Sequence, residues 1–299
     1  MDETPPPPNV DPSALSEIAK GVFVIGDRRV PLVPNIGIVL GDDAALVLDT
    51  GMGPANGAKV LEAAKHLAGS RALILTLTHF HPEHGFGAQV FKGAAKIIYN
   101  EAQRDELRRK GDAFLGMFRT FGPAVAAALE GTTIVETDEV YSGPSATIDL
   151  GGRVVELRAA GKAHTLGDQT VHVPDCGVVF MGDLVEEKMF PIFPWFPPDE
   201  VDIDAVNWAR VLSSINAEAP RIVVPGHGAQ AGAEIVRTVR DYMIDVGRRV
   251  KSRRDGREDA DAIVAALGPE IRSEHPDWSQ PEWVDFAIRY FAATGAAPS

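Results

Sequence analysis

Three histidines and a glutamate stand within six residues of one another: His79, His81, Glu83 and His84, in the run THFHPEHG at 78–85. The whole chain of 299 residues carries only eight histidines, so the crowding needs a chemical reason. Closely spaced imidazoles in a loop cost stability unless something uses their lone pairs, and neutral imidazole is the commonest nitrogen ligand for zinc. His79 and His81 are separated by one residue, so in an extended segment both face the same way. Pro82 biases His81 away from helix, and Glu83 and His84 then serve a neighbouring position. Three more groups of metal-ligand type follow: His164 in GKAHTLGD, Asp183 in FMGDLV and His227 in VVPGHG. Five of the eight histidines and one acid thus fall at strand ends or in strand-connecting loops.

The elements that must position them are legible. GVFVIG at 21–26 reads as a strand, and NIGIVLGDDAALVLDTG at 35–51 as two strands joined by Gly41-Asp42-Asp43. Residues 53–69 place Val60, Leu61, Ala64, Leu67 and Ala68 at helical spacing, with His66 off that stripe as a solvated surface residue. RALILTLTH at 71–79 is a continuous apolar run, the pattern of a buried strand, and it delivers the histidine cluster at its C-terminal end. AAKIIYN at 94–100 is a further strand. Residues 101–129 read as amphipathic helix with a break at FGP.

Strands return at 146–161, 169–183 and 221–228, with a helix over 204–217 that presents Trp208, Val211, Leu212 and Ile215 on one face. From about 230 the pattern is helical to the end, the last helix carrying Trp283, Phe286, Ala287, Tyr290 and Phe291 as a docking stripe. The proline-rich start, residues 1–14, reads as a disordered tail. The order implies two sheets packed on each other with helices outside.

These motifs resemble those of the metallo-β-lactamase superfamily over residues 18–230. The family's His-x-His-x-Asp-His stands here as HFHPEH, LVLDTG resembles its preceding Asp-Gly element, and AHTLGD, GDL and PGHG match the later elements in order. The resemblance implies an α/β fold, a four-layer αβ/βα sandwich with the metals at one edge of the sheets. It implies a catalytic domain over 15–230 and a C-terminal helical extension, 231–299, packed on the same domain. Carried over position by position, His79, His81 and His164 bind the first metal. Glu83, His84 and His227 bind the second, Asp183 bridges both, and Asp49 supports the ligands from behind.

The departure is Glu83 in the aspartate position. Its extra methylene carries the carboxylate about 1.5 Å further. It then ligates the second metal after a loop shift, stands behind the ligands, or shuttles protons. The bridging position holds Asp183 rather than a cysteine, a ligand set similar to that of glyoxalase II and its hydrolytic relatives.

A zinc-bound water has its pKa lowered to about 7, which supplies hydroxide at neutral pH. With two zinc ions, Asp183 and Glu83 as the catalytic acids, the expectation is hydrolysis of an ester, lactone, thioester or β-lactam carbonyl in a small molecule. The alternatives are an iron-dependent oxidoreductase of the same fold, similar to persulfide dioxygenases, or a β-lactamase proper. KMFPIFPWFPP at 188–198 reads in two ways. It is a rigid loop packed on the body or at a homodimer contact, or it is an apolar wall of Phe190, Phe193, Trp195 and Phe196 over the metals that favours a hydrophobic substrate. Phe114, Met117, Phe118 and Phe121 form either an opposite wall or a helix face packed as core. His172, His275 and Cys176 read as structural.

A net charge of −13 argues against nucleic acid and against an anionic membrane surface as partners. One cysteine permits no intramolecular disulfide, and with no apolar run near 18 residues the chain reads as cytoplasmic.

Overall fold

The computed structural model describes residues 6–299. The first sheet contains β1 (Leu15–Ala19), β2 (Val22–Ile25), β3 (Ile36–Leu40) and β4 (Ala44–Leu48). After helix α1 (Gly53–Ala68) the chain adds β5 (Ala72–Thr76). The single-turn helix α2 (Pro82–Gly85) precedes β6 (Lys96–Asn100), and helices α3 (Glu101–Phe118) and α4 (Pro123–Ala128) precede β7 (Glu139–Tyr141). Spatial order follows chain order from β1 to β7: antiparallel through β4, parallel thereafter.

The second sheet has β8 (Ser145–Asp149), β9 (Val154–Ala159), β10 (Gln169–Val173), β11 (Val178–Phe180) and, after α5 (Ala205–Glu218), β12 (Ile222–Val224). Its order is β12-β11-β10-β9-β8, and only β11 and β12 are parallel. Helices α6 (Glu234–Asp255), α7 (Ala260–Glu274) and α8 (Trp283–Thr294) complete the chain.

Three apolar layers hold these elements. Val24, Val39, Leu46 and Leu48 of the first sheet meet Val155, Leu157, Val171 and Phe180 of the second. Outside the first sheet, Val60 and Ala64 of α1 and Leu107 and Phe114 of α3 cover Ile38, Val47 and Leu75. Outside the second, α5 to α8 cover Val179, Met181 and Val223. The expected sandwich with C-terminal helices is therefore what the chain forms, and Phe118–Pro123 is the expected break: a tight turn, then Gly122 at φ +127°, then Pro123 opening α4.

Sequence reading missed β1 and β7. Both lie at the edges of the first sheet, and β1 is half-exposed along its length, so neither carries the apolar run that marks a buried strand.

Residues 8–14 correct the expected tail; residues 1–5 lie outside the described residues. Asn56 in α1 accepts from Val10 N–H (2.9 Å) and donates to Pro8 C=O (2.7 Å), Val10 is buried, and Asp11 caps a short turn at Pro12–Ala14. Prolines lower the entropy cost of holding such a segment, which composition alone reads as disorder. Asn56→Ala should leave those backbone groups unpaired, cost about 1–3 kcal/mol in chemical denaturation, and speed amide exchange at Val10.

Candidate metal centre

The strand ends bring the expected residues together. β5 runs into His79 and His81. Pro82 then starts α2, whose single turn carries Glu83 and His84, with His81 extended before it (φ −56°, ψ 149°). His164 lies in the β9–β10 connection, Asp183 in the turn after β11, and His227 just after β12. Two sets of donor atoms result. In each set the ligating atoms lie within 4.8 Å of one another: His79, His81, His164 and Asp183 in one, Glu83, His84, Asp183 and His227 in the other. Every one of these side chains is buried.

Asp183 divides its two oxygens between the sets. Oδ2 faces His79 Nε2 at 3.8 Å and His164 Nε2 at 3.9 Å; Oδ1 faces His84 Nε2 at 3.1 Å and His227 Nε2 at 3.7 Å. Gly226 is what lets the chain pass this close, since a Cβ there would overlap Asp183 Oδ1. Five of these inner atoms have no hydrogen-bond partner among the described residues: His79 Nε2, His84 Nε2, Glu83 Oε2 and both Asp183 oxygens. Buried polar atoms are normally paired, and donor atoms that converge in this way fit cations. The donor set of imidazole and carboxylate suits divalent zinc or a similar metal.

Four of the five outward ring nitrogens are held. His79 Nδ1 meets Thr78 Oγ1 (3.2 Å), His84 Nδ1 meets Asp49 Oδ2 (2.9 Å), His164 Nδ1 meets Ile192 C=O (3.0 Å) and His227 Nδ1 meets Val33 C=O (2.9 Å). Such partners fix ring orientation and leave Nε2 pointing inward. His81 is reversed: its Nδ1 faces inward, 3.3 Å from His164 Nε2. Asp49 also accepts from Thr78 N–H (2.7 Å) and hydroxyl (2.8 Å), from a left-handed backbone position (φ +67°) that aspartate tolerates better than most residues.

The electrostatics divide the ligands. Burial holds His79, His81, His164 and His227 below the usual imidazole range, His164 at about 4, so their lone pairs are free at neutral pH. His84 differs: burial opposes its charge, yet Asp183 and Asp49 on its two sides raise its pKa well above the ordinary value. Burial pushes Glu83 up to about 7, against the pull of His84. Asp183 is buried too, but His84 and His227 hold it ionised.

The proposed wall needs correction. Phe190 and Phe193 are buried among the C-terminal helices, Phe190 against Tyr242 and Trp278, Phe193 against Trp208, Tyr290 and Phe291. Phe193 backs the site through Trp208, whose ring meets His164 edge-on at 5.5 Å. Trp195 is half-buried against Tyr290, and Phe196 is exposed beside Phe286. Phe114 and Phe118 are core, although Phe114 stacks on His81 at 5.4 Å. His172 bonds Thr170 Oγ1 at 2.9 Å, and His275 packs on Trp278; both stay outside the cluster.

Several polar residues of the site carry no motif signal. Gln169 Nε2 donates to Thr76 Oγ1 (2.7 Å) and Leu77 C=O (2.5 Å), joining the sheets below the histidines. Asn35 donates to Pro225 C=O (3.0 Å) and Gly228 C=O (2.7 Å) on either side of His227. Buried Glu186 accepts from Ile192 N–H (3.2 Å), the residue whose carbonyl holds His164. An isolated Gln, Asn or Glu in a sequence gives no spacing to read.

The family model described as the metallo-beta-lactamase superfamily matches residues 29–227, so the chain belongs to that superfamily. It is a metallohydrolase of that fold. Among curated relatives, the human protein called acyl-coenzyme A thioesterase MBLAC2 is 25% identical over 259 residues, covering 78% of this chain and 88% of its own. The Gallus gallus protein of the same name is 26% identical over 250 residues, covering 78% and 87%. The solved metallo-beta-lactamase from Pontibacter korlensis aligns with a TM-score of 0.60 at 16% identity, over 76% of this chain and 98% of that one. The sec-alkylsulfatase Pisa1 from Pseudomonas sp. aligns with a TM-score of 0.67 at 15% identity, over 93% of this chain and 49% of that one. At those identities the two structures share the fold alone.

Two outcomes test the centre. Gly226→Ala should displace Asp183 and abolish tight metal uptake, with the far-ultraviolet circular dichroism retained. Zinc added to metal-free protein near pH 7 must displace the proton that His84 holds, so calorimetry in buffers of different ionisation enthalpy should register net proton release, and affinity should fall as pH is lowered.

Proposed function

We propose that the chain is a dinuclear zinc hydrolase that cleaves the thioester of an acyl-coenzyme A or a related small acyl thioester. The observation that carries this reading is the pair of buried donor sets sharing the two oxygens of Asp183. The relatives named acyl-coenzyme A thioesterase support thioesters over the other carbonyl substrates of this fold. The complete second set favours hydrolysis over a mononuclear iron oxidoreductase. Residues 15–230 form the catalytic domain in this reading, residues 231–299 buttress it through Phe190, Phe193 and Trp208, and the setting is cytoplasmic.

His79, His81 and His164 would hold one ion, Glu83, His84 and His227 the other, and Asp183 both. Bound there, the ions supply a water of lowered pKa and polarise the substrate carbonyl. Asp183, held ionised by His84 and His227, would orient the attacking water. Asp49 keeps His84 turned inward through Nδ1. Glu83, with a pKa near 7, is suited to ligate when ionised and to carry a proton when not. Of the seven residues, His81, Glu83 and His227 keep the most residual exposure.

Zinc-loaded protein should hydrolyse acyl-coenzyme A, monitored by thiol release, faster than aryl ester, lactone or β-lactam; chelation should abolish turnover and zinc restore it. Full activity after thorough metal removal would refute the reading. Glu83→Asp, which restores the family motif, should alter occupancy of the second ion while leaving the first in place.

A further inference from the structure

One face of α3 carries a run of polar side chains that are buried rather than solvated. Asn100, at its N-cap, donates to Gly167 C=O (2.8 Å). Gln103 donates to Leu77 C=O (3.0 Å). Glu106 is 1% exposed and accepts from the backbone N–H groups of Leu166 and Gly167, both at 3.1 Å. Lys110, also buried, reaches Glu106 (2.8 Å), Glu200 (2.7 Å) and Asp202 (3.0 Å), with Nζ 5.3 Å from the centre of the Phe80 ring. One turn further, Phe114 stacks on His81.

The segments this face grips are the ones that carry the first donor set. Leu166 and Gly167 follow His164 by two and three residues, Phe80 stands between His79 and His81, and Leu77 directly follows the strand that delivers them. Gly167 is pressed so closely on α3 that a Cβ there would overlap the Gln103 backbone. Glu200 and Asp202 close the segment whose Ile192 holds His164.

A buried lysine among three carboxylates is costly in desolvation, and replacing such a group with an apolar one is often neutral for stability. Stability alone therefore does not account for it. We infer that Glu106 and Lys110 are positioning residues for the first metal: Glu106 sets the His164 loop by its two amides, and Lys110 fixes Glu106 against the Phe80 side and the 200–202 segment. Neither touches the ligand atoms. The inference rests on the proposed metal centre but not on the proposed substrate.

Cobalt(II) is the probe, because its visible absorption reports ligand geometry without requiring turnover. Metal-free full-length protein is titrated with cobalt, then assayed with the best thioester. Lys110→Met keeps the apolar stem on Phe80 and removes the charge. It should change the cobalt spectrum, weaken the affinity for the first ion by about 10–100-fold, as loss of a ligand-orienting partner typically does, and lower kcat more than KM. Lys110→Arg should recover much of the wild-type spectrum. Glu106→Gln paired with Lys110→Met, which leaves one fewer buried ion unpaired, should fold if the single variant does not and show the same spectral change. Variants that fold with wild-type cobalt spectrum and affinity would overturn the inference while leaving the metal centre intact. A wild-type protein that takes up no cobalt would instead remove the metal centre and the inference with it.

Discussion

The structure turns on the carboxylate of Asp183, a buried charge with only the His84 imidazole placed to donate to it. Each oxygen faces imidazole nitrogens 3.1–3.9 Å away, and four of the five imidazoles lack the proton that would make them partners. Left so, the arrangement is unfavourable: desolvated acceptors converge on one another. Two divalent cations, as proposed, would convert the same convergence into favourable coordination. Much of the surrounding architecture makes sense as the means of holding these atoms still until they are used.

That holding is done by backbone and by small polar residues. The C-terminal ends of β4, β5, β11 and β12, together with the β9–β10 loop, meet at one edge of the sandwich. Gln169 and Asn35 stitch the two sheets together there, below the histidines and beside His227. The outward nitrogens of His79, His84, His164 and His227 then have their own partners, from Thr78, Asp49, Ile192 and Val33. The helical C-terminal region contributes from behind: the aromatic-proline segment is packed into it, and Trp208 passes that packing to His164.

Much of this was legible in the sequence because its signals are local. Continuous apolar runs predicted β4, β5, β11 and β12, and ligand-type residues at their ends predicted the centre: His79, His81, Glu83, His84, His164, Asp183 and His227 do converge. Asp49 was legible through the motif around it. What escaped depends on tertiary contact. β1 and β7 pair at edges without an apolar pattern. Asn56 turns a proline-rich start into ordered chain. Glu106 and Lys110 sit at i,i+4, which on a helix reads as an ordinary surface ion pair; only the packing of the His164 loop and Glu200 over them makes them internal. Phe190 and Phe193 were candidates for a substrate wall because they follow Asp183 closely, but proximity in sequence does not say which way a ring turns.

The central claim, that Asp183 lies between two cations, is tested most directly by anomalous diffraction at the zinc absorption edge from crystals grown with zinc. The account predicts two peaks about 3.5–4 Å apart, one on each side of the Asp183 carboxylate. A single peak, or none, at a site where the seven side chains remain in place would contradict it.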